Sequence, residues 1–148
     1  MKQGLQILVV DDEAMVRRSI KLLLEHDGHK VWPVDDAEGA LAQLAERKFD
    51  LIITDFSLPG MKGDQLVARI RQLVPTQPII MATAFVEEYK IFGEVVGPVD
   101  ALLFKPFSIQ ELRDAIEQAM PQEPLDPTGA LSSTVPSPTP SFIPPPQP

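Results

Sequence analysis

The segment from Asp50 to Gly63, with the sequence DLIITDFSLPGMKG, constrains the fold of this chain more than any other. Its apolar run at 51–53 is typical of a strand that is covered on both faces, as in a parallel sheet. Asp55 follows the run closely, and Pro59-Gly60 predicts a turn before a new helix. Because open α/β folds bind ligands at the carboxyl ends of their strands, Asp55 is a candidate site residue. Considered alone, it is more often a loop aspartate or a helix cap.

Four more strand patterns and several helix patterns flank this segment. Apolar runs predict strands over 5–10, 31–34, 79–82 and 101–104. Proline cannot donate to a central ladder, so Pro33 places the second strand at the edge of the sheet. Strand and helix alternate five times with short connections, which predicts an α/β fold with a doubly wound five-stranded parallel sheet. The position of Pro33 fits the flavodoxin-like strand order 2-1-3-4-5.

Apolar residues at helical spacing predict five helices, one after each strand. The fourth, over 87–96, contains Gly93 and is expected to be the least stable, because an internal glycine costs about 1 kcal/mol. Capping boxes are predicted at Asp35 with Glu38 and at Ser108 with Glu111.

Composition limits both the extent of the fold and its partners. Ten of the 16 prolines follow residue 120, where Lys and Arg are absent, so a folded domain over 1–120 and a proline-rich disordered tail or linker over 121–148 are predicted. The net charge of -8 argues against binding to nucleic acid or anionic membrane by this chain. The sequence has neither a secretory signal nor a membrane-length apolar run, so a cytoplasmic protein is expected.

Five polar residues follow strand ends that a parallel sheet brings to one edge. They are Asp11 and Asp12 after the first strand, Asp55 after the third, Thr83 after the fourth and Lys105 after the fifth. Clustered carboxylates repel one another, and Mg²⁺ relieves that repulsion with oxygen ligands. Lysine suits a phosphate oxygen, and threonine offers a hydroxyl donor. The set predicts phosphoryl transfer to a carboxylate, with Asp55 as the nucleophile.

Four segments together resemble the response-regulator receiver domains of two-component signalling. These are VVDDE at 9–13, DLIITDFSLPGMKG at 50–63, MATA at 81–84 and FKPF at 104–107, in the order and approximate spacing of that family. The resemblance covers about residues 4 to 120.

The resemblance implies a role for each site residue. Asp55 would be the phosphoacceptor. Asp12 would ligate Mg²⁺ directly and Asp11 through water, with Asp55 and the backbone carbonyl of Ser57 as the other protein ligands. Lys105 would pair with the phosphoryl group, and its bond to Pro106 would be cis.

The resemblance also implies the signalling step. Thr83 would move to hydrogen-bond the phosphorylated carboxylate. The phosphoryl donor would be a phosphohistidine on a sensor histidine kinase or a phosphotransfer protein. The responsive face would comprise the helix over 87–96, the fifth strand and the last helix, and would control a downstream output domain or protein. Phe85, two residues after Thr83, would shield the acyl phosphate and slow its hydrolysis.

One departure from the family keeps alternatives open. Receiver domains commonly have an aromatic residue three positions before the lysine, where this chain has Leu102. Phe104 is instead expected to pack in the core. A receiver-like binding or scaffold module that works without phosphorylation is therefore the main alternative. An aspartyl phosphatase would need a second Asp in the position of Ser57. Around Asp27, the two histidines His26 and His29 predict a solvated turn rather than a metal pair.

Overall fold

The computed structural model describes residues 4–84 and 99–121. Within these ranges, five parallel strands form one sheet in the order β2-β1-β3-β4-β5. The strands are β1 (Gln6–Val10), β2 (Lys30–Val34), β3 (Leu51–Asp55), β4 (Ile79–Thr83) and β5 (Ala101–Phe104). The predicted strand order is confirmed, and the strand that contains Pro33 is an edge strand.

Four helices connect or follow these strands within the described residues. They are α1 (Ala14–His26), α2 (Ala37–Glu46), α3 (Gly63–Leu73) and α4 (Ile109–Ala119). The helix predicted over 87–96, the tail over 122–148 and Phe85 lie outside the described residues. None of the helices within 4–84 and 99–121 has the length and hydropathy that a membrane span requires.

The sheet separates two apolar layers, because alternate residues of each strand face opposite sides. Helices α1 and α4 cover one side, where they pack on residues such as Ile7 and Ile53. Helices α2 and α3 cover the other side, where Leu8 and Ile52 lie. Each fully buried side chain of this size stabilises the fold by about 1.5–3 kcal/mol. With both faces covered, polar groups of the central strands are left at the strand ends, which is where the site lies.

The two predicted helix starts differ in how well they match the structure. The capping box of Ser108 and Glu111 at the start of α4 is confirmed in both of its hydrogen bonds. At α2 the cap is Asp36, whose Oδ1 accepts from the N–H of Gly39 at 2.7 Å, so the prediction of Asp35 is wrong by one residue. The shift follows from where β2 ends, because Asp36 is the residue directly before the first helical turn.

The turn between α1 and β2 is exposed at His26 and buried at His29. His29 is 4% exposed, and its Nδ1 accepts from the N–H of Leu5 at 3.2 Å. Asp27 accepts from the guanidinium of Arg113 on α4 in two hydrogen bonds of 2.9 Å. The predicted solvated turn is therefore wrong for His29, which contacts Leu5 from a distant part of the chain, whereas His26 is exposed as predicted.

We expect the His29 environment to make the fold sensitive to acid. Burial lowers the pKa of His29 below the ordinary value of 6.5, and the Asp27 carboxylate only partly offsets this. As pH falls below 6.5, the unfolded chain takes up a proton that folded His29 resists, so stability is lost in that window and is retained above it. His29→Asn, which keeps an acceptor for Leu5, should weaken the pH dependence of the urea midpoint between pH 5 and 7.5.

The exposed His26 at the end of α1 offers the matched control for this experiment. His26→Asn should change the pH dependence less than His29→Asn does, because only His29 is buried. An equal flattening of the curve by both substitutions would contradict the assignment to His29.

Candidate functional site

Two buried carboxylates and one lysine meet at the carboxyl edge of the sheet. Asp11, directly after β1, is 2% exposed, and Asp55, the last residue of β3, is 6% exposed. The Nζ of Lys105, which follows β5, lies 2.9 Å from Oδ2 of Asp11 and 3.2 Å from Oδ2 of Asp55. Residues 11 and 105 are 94 positions apart in the chain, so only the parallel sheet brings them together.

Asp12 completes a group of three carboxylates, which we call the acidic cluster (Asp11, Asp12 and Asp55). One carboxylate oxygen of each lies within 4.8 Å of the others, and Asp12 is exposed while its two neighbours are buried. Hard oxygen donors at this spacing are the ligands that Mg²⁺ prefers. The donor set therefore fits a divalent cation that is reached from the solvent side of Asp12.

The environment of Asp55 opposes its ionised form. Burial raises the pKa of the Asp55 carboxyl above its ordinary value of 3.8, and the charge of Asp11 acts in the same direction. The ammonium of Lys105 and the N–H of Ser57, which donates to Oδ1 of Asp55 at 3.3 Å, act against this rise without cancelling it. The site consequently holds a carboxylate that gains from a further positive charge beside it.

Lys105 is held in place as a cation. Burial on its own would lower the pKa of Lys105, but the hydrogen bond with Asp11 and the charges of Asp55 and Asp11 outweigh burial and raise it. Glu13 lies farther away, with Oε1 3.8 Å from Nζ. The peptide bond between Lys105 and Pro106 is cis, which confirms the prediction.

The other two predicted site residues lie at the same edge. Thr83 ends β4 and is 1% exposed, and its carbonyl accepts from the N–H of Lys105 at 2.9 Å. Ser57 lies two residues after the end of β3 and is half-buried. All six predicted site residues are thus brought to one edge of the sheet: Asp11, Asp12, Asp55, Ser57, Thr83 and Lys105.

Two supporting contacts have no clear signal in the sequence. The guanidinium of Arg17 on α1 donates to the backbone carbonyl of Asp11 at 2.7 Å. The buried Gly63, at the start of α3, donates its N–H to the carbonyl of Phe56 at 2.8 Å. Arg17 is one of several basic residues on an amphipathic helix, and Gly63 is one of eight glycines. Arg17 and Gly63 differ from the other basic residues and glycines only in where the end of their helix lies relative to the sheet.

Phe104 does not pack in the core as predicted. Its side chain is 44% exposed, whereas Leu103 beside it is 4% exposed. The physical reason is its place in the sheet, because Phe104 is the last residue of the edge strand β5. Leu102, the residue at the usual aromatic position, is half-buried against the layer that α2 and α3 cover.

We expect Phe104→Leu to change the free energy of unfolding by less than about 0.5 kcal/mol, as exposed substitutions usually do. Leu103→Ala on the same strand is the matched comparison and should cost about 2–5 kcal/mol, because it opens a cavity in the core. Urea denaturation of both variants measures the difference. A loss for Phe104→Leu comparable to that for Leu103→Ala would mean that the ring is buried in solution.

An apolar cavity lies next to the acidic cluster. It has a volume of about 510 Å³ and is formed by α1 and by the segment after β5. Its wall includes Val16, Leu23 and Phe107, and it reaches Glu13 and Lys105 at the edge of the site. A ligand in this cavity would therefore contact Lys105, which pairs with Asp11 and Asp55.

Comparison with known proteins agrees with this geometry. The family profile described as the response regulator receiver domain matches residues 7–117. The phosphate regulon transcriptional regulatory protein PhoB of Pseudomonas aeruginosa is 43% identical over 112 residues, which cover 74% of this chain and 48% of PhoB. The chemotaxis protein CheY of the same organism is 34% identical over 117 residues, which cover 77% of this chain and 94% of CheY.

A solved structure is also similar in fold. The response regulator TrrA from Thermotoga maritima, in complex with Mg²⁺-BeF, superposes with a TM-score of 0.70 at 28% sequence identity. The match covers 78% of this chain and 98% of TrrA. Because the chain spans only about half of PhoB, 48% of its length, the similarity to PhoB concerns one part of that protein.

Proposed function

Since this chain belongs to the response regulator receiver domains of two-component systems, we propose that it accepts a phosphoryl group on Asp55 from a phosphohistidine donor. The donor would be a sensor histidine kinase or a phosphotransfer protein. The observation that carries the proposal is the contact of Lys105 Nζ with both buried carboxylates, at 2.9 Å to Asp11 and 3.2 Å to Asp55. A cation in this position pairs with the oxygens of an incoming phosphoryl group as their charge develops.

The residues around Asp55 supply the chemistry of the transfer. The Asp55 carboxylate attacks phosphorus, and the phosphorus–nitrogen bond to the donor histidine breaks as the new oxygen–phosphorus bond forms. Lys105 holds its proton throughout, because its pKa is raised, and acts as a fixed positive charge. Thr83 at the end of β4 would donate its hydroxyl to the phosphoryl group of phosphorylated Asp55.

The acidic cluster fits Mg²⁺ as the cofactor. We propose that Asp12 and Asp55 would hold the ion directly, with the backbone carbonyl of Ser57, and that Asp11 would hold it through water. When bound, the ion neutralises the clustered carboxylates and the incoming phosphoryl oxygens. The relative TrrA is described in complex with Mg²⁺ and BeF, which supports this assignment by similarity.

The consequence of phosphorylation is proposed to be a change of surface rather than turnover of a substrate. The new group adds about -1.5 to -2 charges and strong acceptor oxygens at the site. Groups that can reach those oxygens, Thr83 and Lys105, gain contacts and favour one of two arrangements of the elements that carry them. The responsive face would include β5 and α4, together with the helix predicted over 87–96, and would regulate an output domain or protein. Slow self-dephosphorylation would end the signal.

The donor is proposed to approach over the apolar cavity beside α1. Glu13 and Lys105 belong both to the rim of the acceptor site and to the wall of this cavity. Met15, another wall residue, is 72% exposed and would be covered by a donor protein. Contact there would place the donor histidine next to Asp55.

The test of the proposed function uses a small phosphoryl donor. The protein is incubated with Mg²⁺ and acetyl phosphate, and its intact mass is compared with that of Asp55→Asn. A labile phosphoryl adduct on the parent alone is the expected result.

The other two hypotheses give different outcomes in the same experiment. A protein that carries no adduct would be a binding or scaffold module that works without phosphorylation. Steady release of phosphate without an adduct would indicate an aspartyl phosphatase, and either result would overturn the proposal.

A further inference from the structure

Gly63 begins α3 directly against the backbone that carries the acceptor carboxylate. Its N–H donates to the carbonyl of Phe56 at 2.8 Å. A Cβ atom at Gly63 would lie 2.5 Å from the carbonyl oxygen of Asp55 and 2.7 Å from the Cα of Phe56. Ordinary contacts of a Cβ begin at 3.4 Å, so one of the two segments would have to move. Close packing of this kind leaves no free space to absorb a methyl group.

The neighbours of Gly63 are backbone atoms that are also paired with β4. Asp55 pairs with Ala82 in the ladder between β3 and β4, and the N–H of Phe56 donates to the carbonyl of Ala82 at 3.0 Å. A side chain on Gly63 therefore meets no flexible group that can rotate away. The backbone of Asp55 and Phe56 is therefore in contact with both β4 and the first turn of α3.

The position of this backbone also determines where the atoms that would meet the metal and the phosphoryl group lie. Ser57, the residue after Phe56, donates its N–H to Oδ1 of Asp55 at 3.3 Å. A displacement of Phe56 would therefore move Ser57 and turn the Asp55 carboxylate. In the proposed function, the carbonyl of Ser57 and that carboxylate are both metal ligands.

We infer that Gly63 is a positioning residue for phosphoryl transfer to Asp55. Because Gly63 has no side chain, α3 closes on the backbone of Asp55 and Phe56 and fixes the orientation of the acceptor carboxylate and of Ser57. This inference rests on the proposed function. It means that α3 affects the acceptor by direct contact with its backbone, independently of Thr83 and Lys105.

The test compares Gly63→Ala with Gly39→Ala. Gly39 lies in the first turn of α2, where a Cβ would meet side-chain atoms of Asp36 and Val34 at 3.2 Å, so these atoms have to shift by a few tenths of an ångström. Phosphorylation by acetyl phosphate is followed by intact mass over time, at several concentrations of acetyl phosphate and Mg²⁺. A displacement of roughly 1 Å costs about 100-fold in rate when reacting groups must align.

We expect Gly63→Ala to lower the rate at saturating acetyl phosphate about 10- to 100-fold, as this alignment requires. The Mg²⁺ concentration that gives the half-maximal rate should rise, while half-saturation by acetyl phosphate should change little. Gly39→Ala should stay within about 2-fold of the parent in all three quantities, because a Cβ at Gly39 meets side chains of Asp36 and Val34 and not the backbone of Asp55 and Phe56.

Thermal denaturation of each variant distinguishes a loss of stability from a loss of alignment at the acceptor. Rates are compared well below each melting temperature, with trimethylamine N-oxide added where a variant is marginal, since this osmolyte favours the folded state. A folded Gly63→Ala with the parent's rate and Mg²⁺ dependence would overturn the inference. So would equal slowing by both substitutions, or a Gly63→Ala protein that stays unfolded with the osmolyte. If the parent itself takes up no phosphoryl group, the proposed function fails and the inference fails with it.

Discussion

Replacing Lys105 by methionine is expected to lower both the stability of the protein and its rate of phosphorylation. The side chain keeps its approximate length, but the cation that contacts Asp11 at 2.9 Å and Asp55 at 3.2 Å is lost. Removal of one partner from a buried ion pair leaves the other charge uncompensated and costs about 3–5 kcal/mol. Because the Asp55 carboxyl can respond by taking up a proton, we expect a loss near the lower end, about 3 kcal/mol.

The kinetic effect of Lys105→Met should be larger than its thermodynamic effect. Loss of a preorganised donor to a developing negative charge typically lowers a rate by about 10²- to 10³-fold. Intact mass against time with acetyl phosphate measures the rate, and urea denaturation without Mg²⁺ measures the free energy of unfolding.

The exposed Lys48 supplies a control for the change in net charge, since Lys48→Met removes the same charge before the amino end of β3, away from the carboxyl edge of the sheet. It should leave both quantities close to those of the parent. Mg²⁺ should restore part of the stability of Lys105→Met, because another cation then offsets the acidic cluster. A Lys105→Met protein that is as stable as the parent without Mg²⁺ would argue against the buried ion pair.

Asp55→Asn should abolish phosphorylation and, in the absence of Mg²⁺, should make the protein more stable at neutral pH. Burial and the charge of Asp11 raise the pKa of the Asp55 carboxyl above 3.8. The folded protein therefore holds this proton more tightly than the unfolded chain, and the associated stability is lost as pH rises through the folded pKa. At pH 7 the ionised side chain is thus a net cost, which asparagine removes with almost no change of shape.

The expected gain is about 1–2 kcal/mol, the order of the cost of a buried charge that is incompletely compensated. In a domain of this size the melting temperature should rise by roughly 4 °C for each kcal/mol. Mg²⁺ should reverse the order of stability, since a ligand present at 100 times its Kd adds about 2.7 kcal/mol to the protein that binds it. The parent should gain this stabilisation, and Asp55→Asn should gain much less.

Thermal denaturation with and without Mg²⁺ measures both effects. Asp114→Asn on the exposed surface of α4 controls for the removal of one negative charge and should change neither melting temperature appreciably. If Asp55→Asn melts below the parent without Mg²⁺, the carboxylate stabilises the apo fold and the electrostatic account of the site is wrong.

The predictions that succeeded depend on patterns that are local in the chain. Unbroken apolar runs define the strands, and a proline in one of them excludes it from the centre of the sheet. The parallel arrangement then brings the residues after each strand to one edge, which is how Asp11, Asp55 and Lys105 could be expected to meet.

The predictions that failed concern burial near the ends of elements. Phe104 was expected in the core because it continues an apolar run, but it is the last residue of an edge strand and is 44% exposed. His29 was expected in a solvated turn, but it is 4% exposed and its Nδ1 accepts from the N–H of Leu5. In both cases the exposure of the side chain depends on how distant segments of the chain are placed around it, and a local sequence pattern does not specify that placement.

The amino-acid sequence by itself determined the class of fold, the order of the strands and the set of polar residues at their carboxyl ends, because periodicity and proline act within a few residues. The tertiary structure alone decided which of those groups are in contact, which carry the cost of burial, and that α3 approaches closely enough for Gly63 to require the absence of a side chain. These properties depend on distances between elements, and such distances follow from how the layers pack together.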